Sequence, residues 1–348
     1  MYPIKLLSNN TLVFVCALLV HLFFYQASNA QTSAGQTYEG YLVNPADGAK
    51  YPIWMEVQAN GATLSGSYFY KRVGTAIPLE GTSAGNSRII KEKDGKGKVT
   101  GTFSFSMESL PVRGQWKDAA GKKSLHIELY PVDPSYRAMA VIPKHERLLM
   151  ADGSSFMDAI KESSSEDVTL GNGKLLKPTF TFARRGFATY TVVWEMMGAY
   201  PTTNTDRYVF DIKSSRIINV YEEFDLSKRE QFKQLLVSKV AAQLEDHWTT
   251  LDTEGKQVLR DAYATDPYPG FEFGANNMPN YNKSAQNIEV LLANAYLTDD
   301  GVVFSTTRFY DFPHAIQVYD AFVEVVIPYG ECAKYLSPGS ELLRLSDI

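Results

Sequence analysis

The sequence predicts an α+β protein, with an N-terminal antiparallel β-barrel or sandwich followed by an antiparallel sheet packed with helices. Three observations lead there. From Tyr38 to Val132, strand-forming residues alternate between glycine-containing turns and leave little room for a helix. Between Ser227 and Ala264, apolar residues repeat at helical spacing. Strand patterns then resume as far as Pro328, and a run of strands, then helices, then strands indicates segregated layers rather than alternating βαβ units.

Residues 1–30 read as a signal peptide. Lys5 supplies the positive start, Leu12 to Tyr25 form an apolar run broken only by His21, and Ser28 and Ala30 are the small residues that a signal peptidase reads. The run is roughly 14 residues long, short of the about 20 that a spanning helix needs, so no transmembrane segment is expected after cleavage. Val15 precedes Cys16 where a lipid-attachment motif wants a small residue. The mature chain is therefore expected to be periplasmic or secreted, and it keeps Cys332 as its one cysteine, which rules out an internal disulfide. With 34 basic and 39 acidic residues the net charge is -5. A mildly acidic chain lacks the clustered basic face that phosphate backbones require, so nucleic acid is not expected as a partner.

Residues 38–132 form the first expected domain. "LSGSYFYKRVGTAIPLEG" (Leu64 to Gly81) is echoed by "VTGTFSFSMESLPVRG" (Val99 to Gly114), two copies of one hairpin pattern. Alternation in Ile53 to Val57 and in Leu125 to Leu129 places one face of each strand in a core, giving seven or eight strands with turns about every 10 to 15 residues. Small barrels can hold a ligand at the mouth. Tyr68, Tyr70, Trp54 and Trp116 either stack on a sugar or fill the core. "GTSAG" (Gly81 to Gly85) matches a hydrolase pattern, but a strand and a turn follow it where that motif needs a helix, so Ser83 is not read as a nucleophile.

Residues 133–179 read as a linker with a short surface helix near Ser154 to Val168, since three prolines interrupt the pattern between Pro131 and Leu149. Residues 180–336 form the second expected domain and 337–348 a tail. Strands are expected over 187–200, 207–212 and 216–224, with turns at 201–206 and 213–215. Ser227 and Glu230 form a capping box ahead of a helix whose stripe is Phe232, Leu235, Leu236, Val240, Leu244 and Trp248. A second helix covers 254–264, and strands follow over 290–297, 302–305 and 321–328.

The candidate site is "FYDFPHAIQVYD", Phe309 to Asp320, between the last two strands. Tyr310, Asp311, His314 and Tyr319 are its ligand-binding candidates, because aromatic side chains supply large contact area and a polar tip. Asp311 with His314 is the one acid and base pair weighed, and no catalytic residue is assigned. The mature histidines, His126, His145, His247 and His314, show no metal-ligand spacing, so neither a metal nor a cofactor is expected. Cys332 is read as a buried small hydrophobe rather than a nucleophile.

"NAYLTDDGVVFSTTRFYDFP" (Asn294 to Pro313) and "AFVEVVIPYGEC" (Ala321 to Cys332) resemble the end of a family of secreted bacterial domains of unsettled role, the extracytoplasmic domain of lysozyme-sensing anti-sigma factors. The resemblance covers about 180–336. Tyr310, Asp311 and Pro313 fall on the family's Tyr, acidic residue and Pro; His314 stands where it often has Tyr, and Ile316 to Tyr319 replace a glycine-containing stretch. It implies a binding unit whose partner is a lysozyme-like protein or a peptidoglycan fragment. The expected function is an exported, non-enzymatic binding protein of the bacterial envelope. A peptidoglycan-acting hydrolase with an unrecognised site and an envelope scaffold are the alternatives.

Overall fold

The computed structural model describes residues 35–144, 147–160, 173–175, 179–197, 201–265, 271–274, 278–286, 288–310, 312 and 314–348. The expected leader with Cys16, and His145, Glu146, Asp311 and Pro313, lie outside the described residues.

Strands β1 (Gln36–Val43), β2 (Lys50–Asn60), β3 (Thr63–Tyr70), β4 (Ile77–Ala84), β5 (Ser87–Lys93), β6 (Val99–Ser106), β7 (Val112–Asp118) and β8 (Ser124–Pro131) each pair antiparallel with the next. β8 also pairs with β1, Gly40 opposite Leu129, which closes a barrel and removes both sheet edges. The alternating apolar residues Ile53, Met55, Val57, Ile127 and Leu129 fill its interior with Tyr68 and Phe103. The echoed stretches are the hairpins β3–β4 and β6–β7. Gly81 and Gly114 hold corresponding places in them. A Cβ at either would lie 2.2 Å from a carbonyl oxygen of the neighbouring strand, Ile89 and Ser104 respectively, so a side chain is excluded. Ser83 lies within β4, paired with Arg88, with no helix beside it.

Residues 133–142, in the stretch expected as a linker, form a cover. Trp54 and Phe69, on the outer face of the barrel, are buried under Val132 and Ala140, which flank a 3-10 turn at Pro134–Met139. Ile142, Leu148, Phe156 and Ile160 then pack onto one face of the next sheet, against Tyr190 and Phe210. The expected surface helix is helical over 156–160 and buries Phe156 and Ile160. Its later residues lie outside the described ones.

That sheet runs β10 (Thr179–Arg184), β11 (Phe187–Met197), β12 (Pro201–Asp211) and β13 (Arg216–Ile218), with β9 (Gly173–Leu175) paired to β11. The turn expected at 201–206 is instead part of β12, in register with β11 from Met197 opposite Pro201. The stretch is rich in β-branched threonine, and a proline at the first strand position gives up no ladder bond. The strand expected over 216–224 stops at Ile218, and Asn219 caps a 3-10 turn at Val220–Glu223.

Helix α1 (Arg229–Thr250) buries Phe232, Leu236, Val237, Val240, Leu244 and Trp248, the expected stripe except that Leu235 is only partly covered. Its capping box does not form: the N-cap position falls on Lys228, which makes no side-chain cap, and Ser227 lies before it, donating its amide and hydroxyl to Asp225 at 2.8 and 2.7 Å. Helix α2 (Thr253–Thr265) follows, then the short helices α3 (Tyr281–Ser284) and α4 (Glu289–Ala293). α4 replaces the first half of the strand expected over 290–297; Leu291 and Leu292 are both buried, a pattern that alternation cannot make. A second sheet, β14 (Ala295–Leu297), β15 (Val302–Thr306) and β16 (Val323–Ile327), packs on α1. Side chains act as strand partners at both of its edges. The Thr189 hydroxyl donates to Leu297 O at 2.7 Å, and the Gln243 amide both donates to Glu324 O and accepts from Glu324 N. A last short helix, α5 (Tyr329–Cys332), buries Cys332.

The barrel docks on the β10–β11 turn through buried charge. Glu39, 1% exposed, accepts from Lys71 Nζ at 2.9 Å and from the Arg185 amide at 3.0 Å. Lys71 also donates to Ala183 O at 2.8 Å. Burial pushes the Lys71 ammonium's pKa down, and Glu39 opposes this. The Tyr41 hydroxyl accepts from Ala183 N and donates to Asp299, which also receives Lys50 Nζ at 2.6 Å. The Arg184 guanidinium lies 3.6 Å from the Tyr130 ring centroid, and its Nε and Nη1 meet no hydrogen-bond acceptor among the described residues.

Candidate functional site

The connector between β15 and β16 turns most of its aromatic residues inward. Asp320 organises it: one carboxylate oxygen accepts from Tyr310 N and Ala321 N, both at 2.8 Å, and the other accepts from Phe312 N at 3.0 Å. Three backbone amides of an irregular segment are thereby satisfied. The Tyr310 ring is 8% exposed, stacks on Phe312 at 5.1 Å and meets the edge of Phe271 at 4.8 Å. Burial pushes its hydroxyl's pKa well up, Asp320 adding to this and the nearby Ser284 opposing it. The ring of Tyr310, one of the ligand-binding candidates, thus belongs to the core of the α1 layer. Tyr319 is half-buried beside Gly255 of α2, where an added Cβ would lie 2.8 Å from its ring, and its carbonyl oxygen is 3.1 Å from His247 Nε2. His314 opens the 3-10 turn His314–Tyr319, and Asp311 lies outside the described residues. The large hydrophobic residues that this region exposes are Val318 at 82% and Phe322 at 57%, beside exposed Thr307 and Arg308.

In the neighbouring residues 278–283, Met278 and Tyr281 pack against the same core. Asn280 caps α3 by accepting from Lys283 N at 3.2 Å, and Tyr281 is partly buried against the α1 layer. No group of three or more His, Cys, Asp or Glu residues gathers to hold a metal ion among the described residues. The Cys332 thiol is pushed up to about 12 by burial, with Glu331 adding to it, which leaves it protonated and poorly nucleophilic.

A second candidate lies where the barrel mouth meets β10. The β1–β2 turn, the start of β2, the end of β3 and Thr179 to Thr181 enclose a groove of about 1040 Å³. Its size is comparable with the roughly 300–1,000 Å³ of small-molecule sites. The turn is held by Asn44 and Asp47, whose side chains accept from Ala46 N and Ala49 N, and Gly48 supplies the positive φ of 69°. Tyr51, 38% exposed, and Tyr70 give the groove two aromatic walls, while Phe180, 7% exposed, lines it from within the core. The Arg72 guanidinium sits 5.3 Å over Phe180 and Lys50 lies at the rim. This is a surface for stacking a flat or ring-shaped group, with polar atoms at its edges.

Of the four barrel aromatics read as stacking candidates, the structure puts one in the groove, Tyr70. Trp54 is buried under the cover and donates to Glu56, and Tyr68 and Trp116 turn into the barrel. Tyr51, Phe180 and Arg72 went unread because they come from a turn edge and from a strand on the far side of the seam. The one available signal was the "KYPIW" entry to β2, an aromatic followed by a proline at a turn.

No protein-family model matches the sequence, and no curated protein does. Solved structures that are similar include two DUF3298 family proteins. One, a DUF3298 family protein from Pseudomonas aeruginosa PAO1, is 14% identical over 49% of this chain and 63% of its own length, with a TM-score of 0.30. The other, a member of the DUF3298 family from Bacteroides fragilis NCTC 9343, is 17% identical over 72% of this chain and all of its own length, with a TM-score of 0.32. The chain thus spans less than two thirds of the first protein and the whole of the second.

Proposed function

We propose that the chain is an exported, non-enzymatic binding protein of the bacterial envelope, periplasmic or secreted, that holds a cell-wall saccharide in the groove between barrel and sheet. The observation that carries this reading is the groove's pair of aromatic walls, Tyr51 and Tyr70, in a cleft large enough for a small glycan. Sugar rings present apolar C–H faces and a polar rim, and aromatic faces beside polar side chains match both. The leader read at residues 1–30 supplies the compartment. Calorimetry of the leaderless chain with soluble peptidoglycan fragments tests it. Binding is expected, with fragments recovered unchanged and affinity about fivefold lower in Tyr51→Ala, as expected when one stacking face worth about 1 kcal/mol is lost. Absence of binding, or turnover of the fragments, overturns it.

A second reading has its own observation. Val318 and Phe322 lie exposed four positions apart on the connector, and paired exposed hydrophobes suit a protein partner. A lysozyme-like protein is the partner that the sequence resemblance implies, and titration with c-type lysozyme tests it.

A further inference from the structure

The groove is lined by charge as well as by rings. Asp47, Lys50 and Arg72 stand in its wall, and the turn before β8 brings Lys123 Nζ to 6.0 Å from the Tyr51 ring. The whole chain carries -5, so a wall in which cations outnumber acids is a local feature and not the average of the surface.

Strand register explains how the cations gather. The bond from Lys71 N to Pro52 O at 2.8 Å carries the pairing of β2 with β3 one step beyond Ile53 and Tyr70, which brings Arg72 to the Tyr51 end of the groove. There its guanidinium lies 5.3 Å over the Phe180 ring of β10, so the barrel and the second sheet position it together. A guanidinium over a ring face still donates from its edge, where its N–H groups fan outward, and it keeps its charge at every physiological pH.

Two carboxylates answer part of this charge. Asp47 accepts from Ala49 N at 3.0 Å and holds its own turn. Asp299 accepts from the Tyr41 hydroxyl at 3.1 Å and from Lys50 Nζ at 2.6 Å, which fixes Lys50 and offsets its charge. Lys50, Arg72 and Lys123 still outnumber them. With Lys50 offset, Arg72 is the wall cation that a ligand lying on Tyr51 and Tyr70 would meet. A neutral sugar gains little from it, whereas a carboxylate gains a charge-assisted, two-pronged bond.

We propose that the groove selects saccharides that bear a carboxylate, with Arg72 as the specificity-determining residue that pairs with it and Lys50 in a lesser part. The proposal rests on the saccharide reading of the groove. The probes are the disaccharide of N-acetylglucosamine and N-acetylmuramic acid, whose lactyl group ends in a carboxylate, and the same disaccharide with that group converted to its neutral methylamide. Both are titrated by calorimetry into the leaderless chain.

At low salt the acid should bind about tenfold more tightly than the amide, the difference expected of a hydrogen bond to a charged group. The ratio should shrink in about 0.5 M sodium chloride, which screens exposed charge. Arg72→Gln should bring the acid down to the level of the amide and leave the amide unchanged. A residue that only shaped the groove would weaken both probes together. The comparison of the probes on the unsubstituted chain stands as a test even where the variant fails to fold. Equal binding of acid and amide, tighter binding of the amide, or an acid preference that survives Arg72→Gln overturns the proposal and leaves the saccharide reading standing. Binding of neither probe overturns both.

Discussion

At the barrel mouth, Glu92 accepts from the side chains of Tyr68, Trp116 and Thr100, and Tyr70 next to them stays half-exposed in the groove. In the connector, Asp320 accepts from the backbone amides of Tyr310, Phe312 and Ala321, and the rings of Tyr310 and Phe312 are drawn into the core. Both regions set tyrosines beside a carboxylate. What separates them is the carboxylate's partners. A carboxylate spent on amides folds the chain around itself and takes the aromatic residues inward. One spent on side-chain hydroxyls inside a closed barrel leaves the backbone ladder intact, so the next tyrosine on the strand is free to face a ligand.

The largest effect is expected at the seam, where a carboxylate is committed to both an ammonium and a backbone amide. Glu39→Ala leaves Lys71 without its ion-pair partner and orphans the Arg185 amide. Breaking a buried pair by removing one partner is expected to cost about 4 kcal/mol of unfolding free energy, read by urea denaturation. A loss below about 1 kcal/mol would mean that the barrel and the second sheet are not held together by this carboxylate. Next comes Tyr310→Ala, which empties a stacked position in the core and is expected to cost about 3 kcal/mol with saccharide affinity unchanged. Lost binding with stability intact would reverse the roles of the two regions.

The regular elements were legible. Alternation along β2 and β8, the echoed hairpins and the stripe of α1 each follow from one local period, and the structure carries all three. Barrel closure was not legible, because the pairing of β1 with β8 joins residues some ninety positions apart. Glu39 and Tyr41 look like the outward-facing polar residues of an ordinary strand; only the arrival of the β10–β11 turn buries them. The connector failed for a different reason. An irregular segment has no period, so its sequence does not tell which side of the chain its rings occupy. The signal that favoured burial was Asp320 itself, an acid at the end of the segment with amides to cap.

A smaller, pH-dependent effect marks the seam's far end. Burial pushes the Asp211 carboxyl up, but its bonds to Arg344 at 2.8 Å and to Ser214 outweigh this and hold its pKa below the usual value. A carboxyl depressed in the folded state stabilises the fold above its unfolded pKa of about 3.9, and that contribution is lost as pH falls through the folded value. The stability gap between the unsubstituted chain and Arg344→Met should therefore narrow below about pH 4 in urea titrations. A part that does not vary with pH should persist, since Arg344 also lies over the Phe187 ring at 4.3 Å. A gap that stayed constant into acid would show that Arg344 acts by packing alone.

The smallest expected effect falls on the connector's exposed side. Val318 is 82% exposed, so Val318→Asp should change stability by less than about 0.5 kcal/mol and leave saccharide binding untouched. The substitution separates the two regions cleanly, because it changes what the connector shows to solvent without disturbing what Asp320 holds inside. If c-type lysozyme binds the chain and Val318→Asp abolishes that binding, the connector is a protein-docking face carried by its aliphatic exterior rather than by Tyr310. If lysozyme binds equally to both forms, the exposed pair Val318 and Phe322 is excluded as the contact, and the groove is left as the better-supported binding surface of the two.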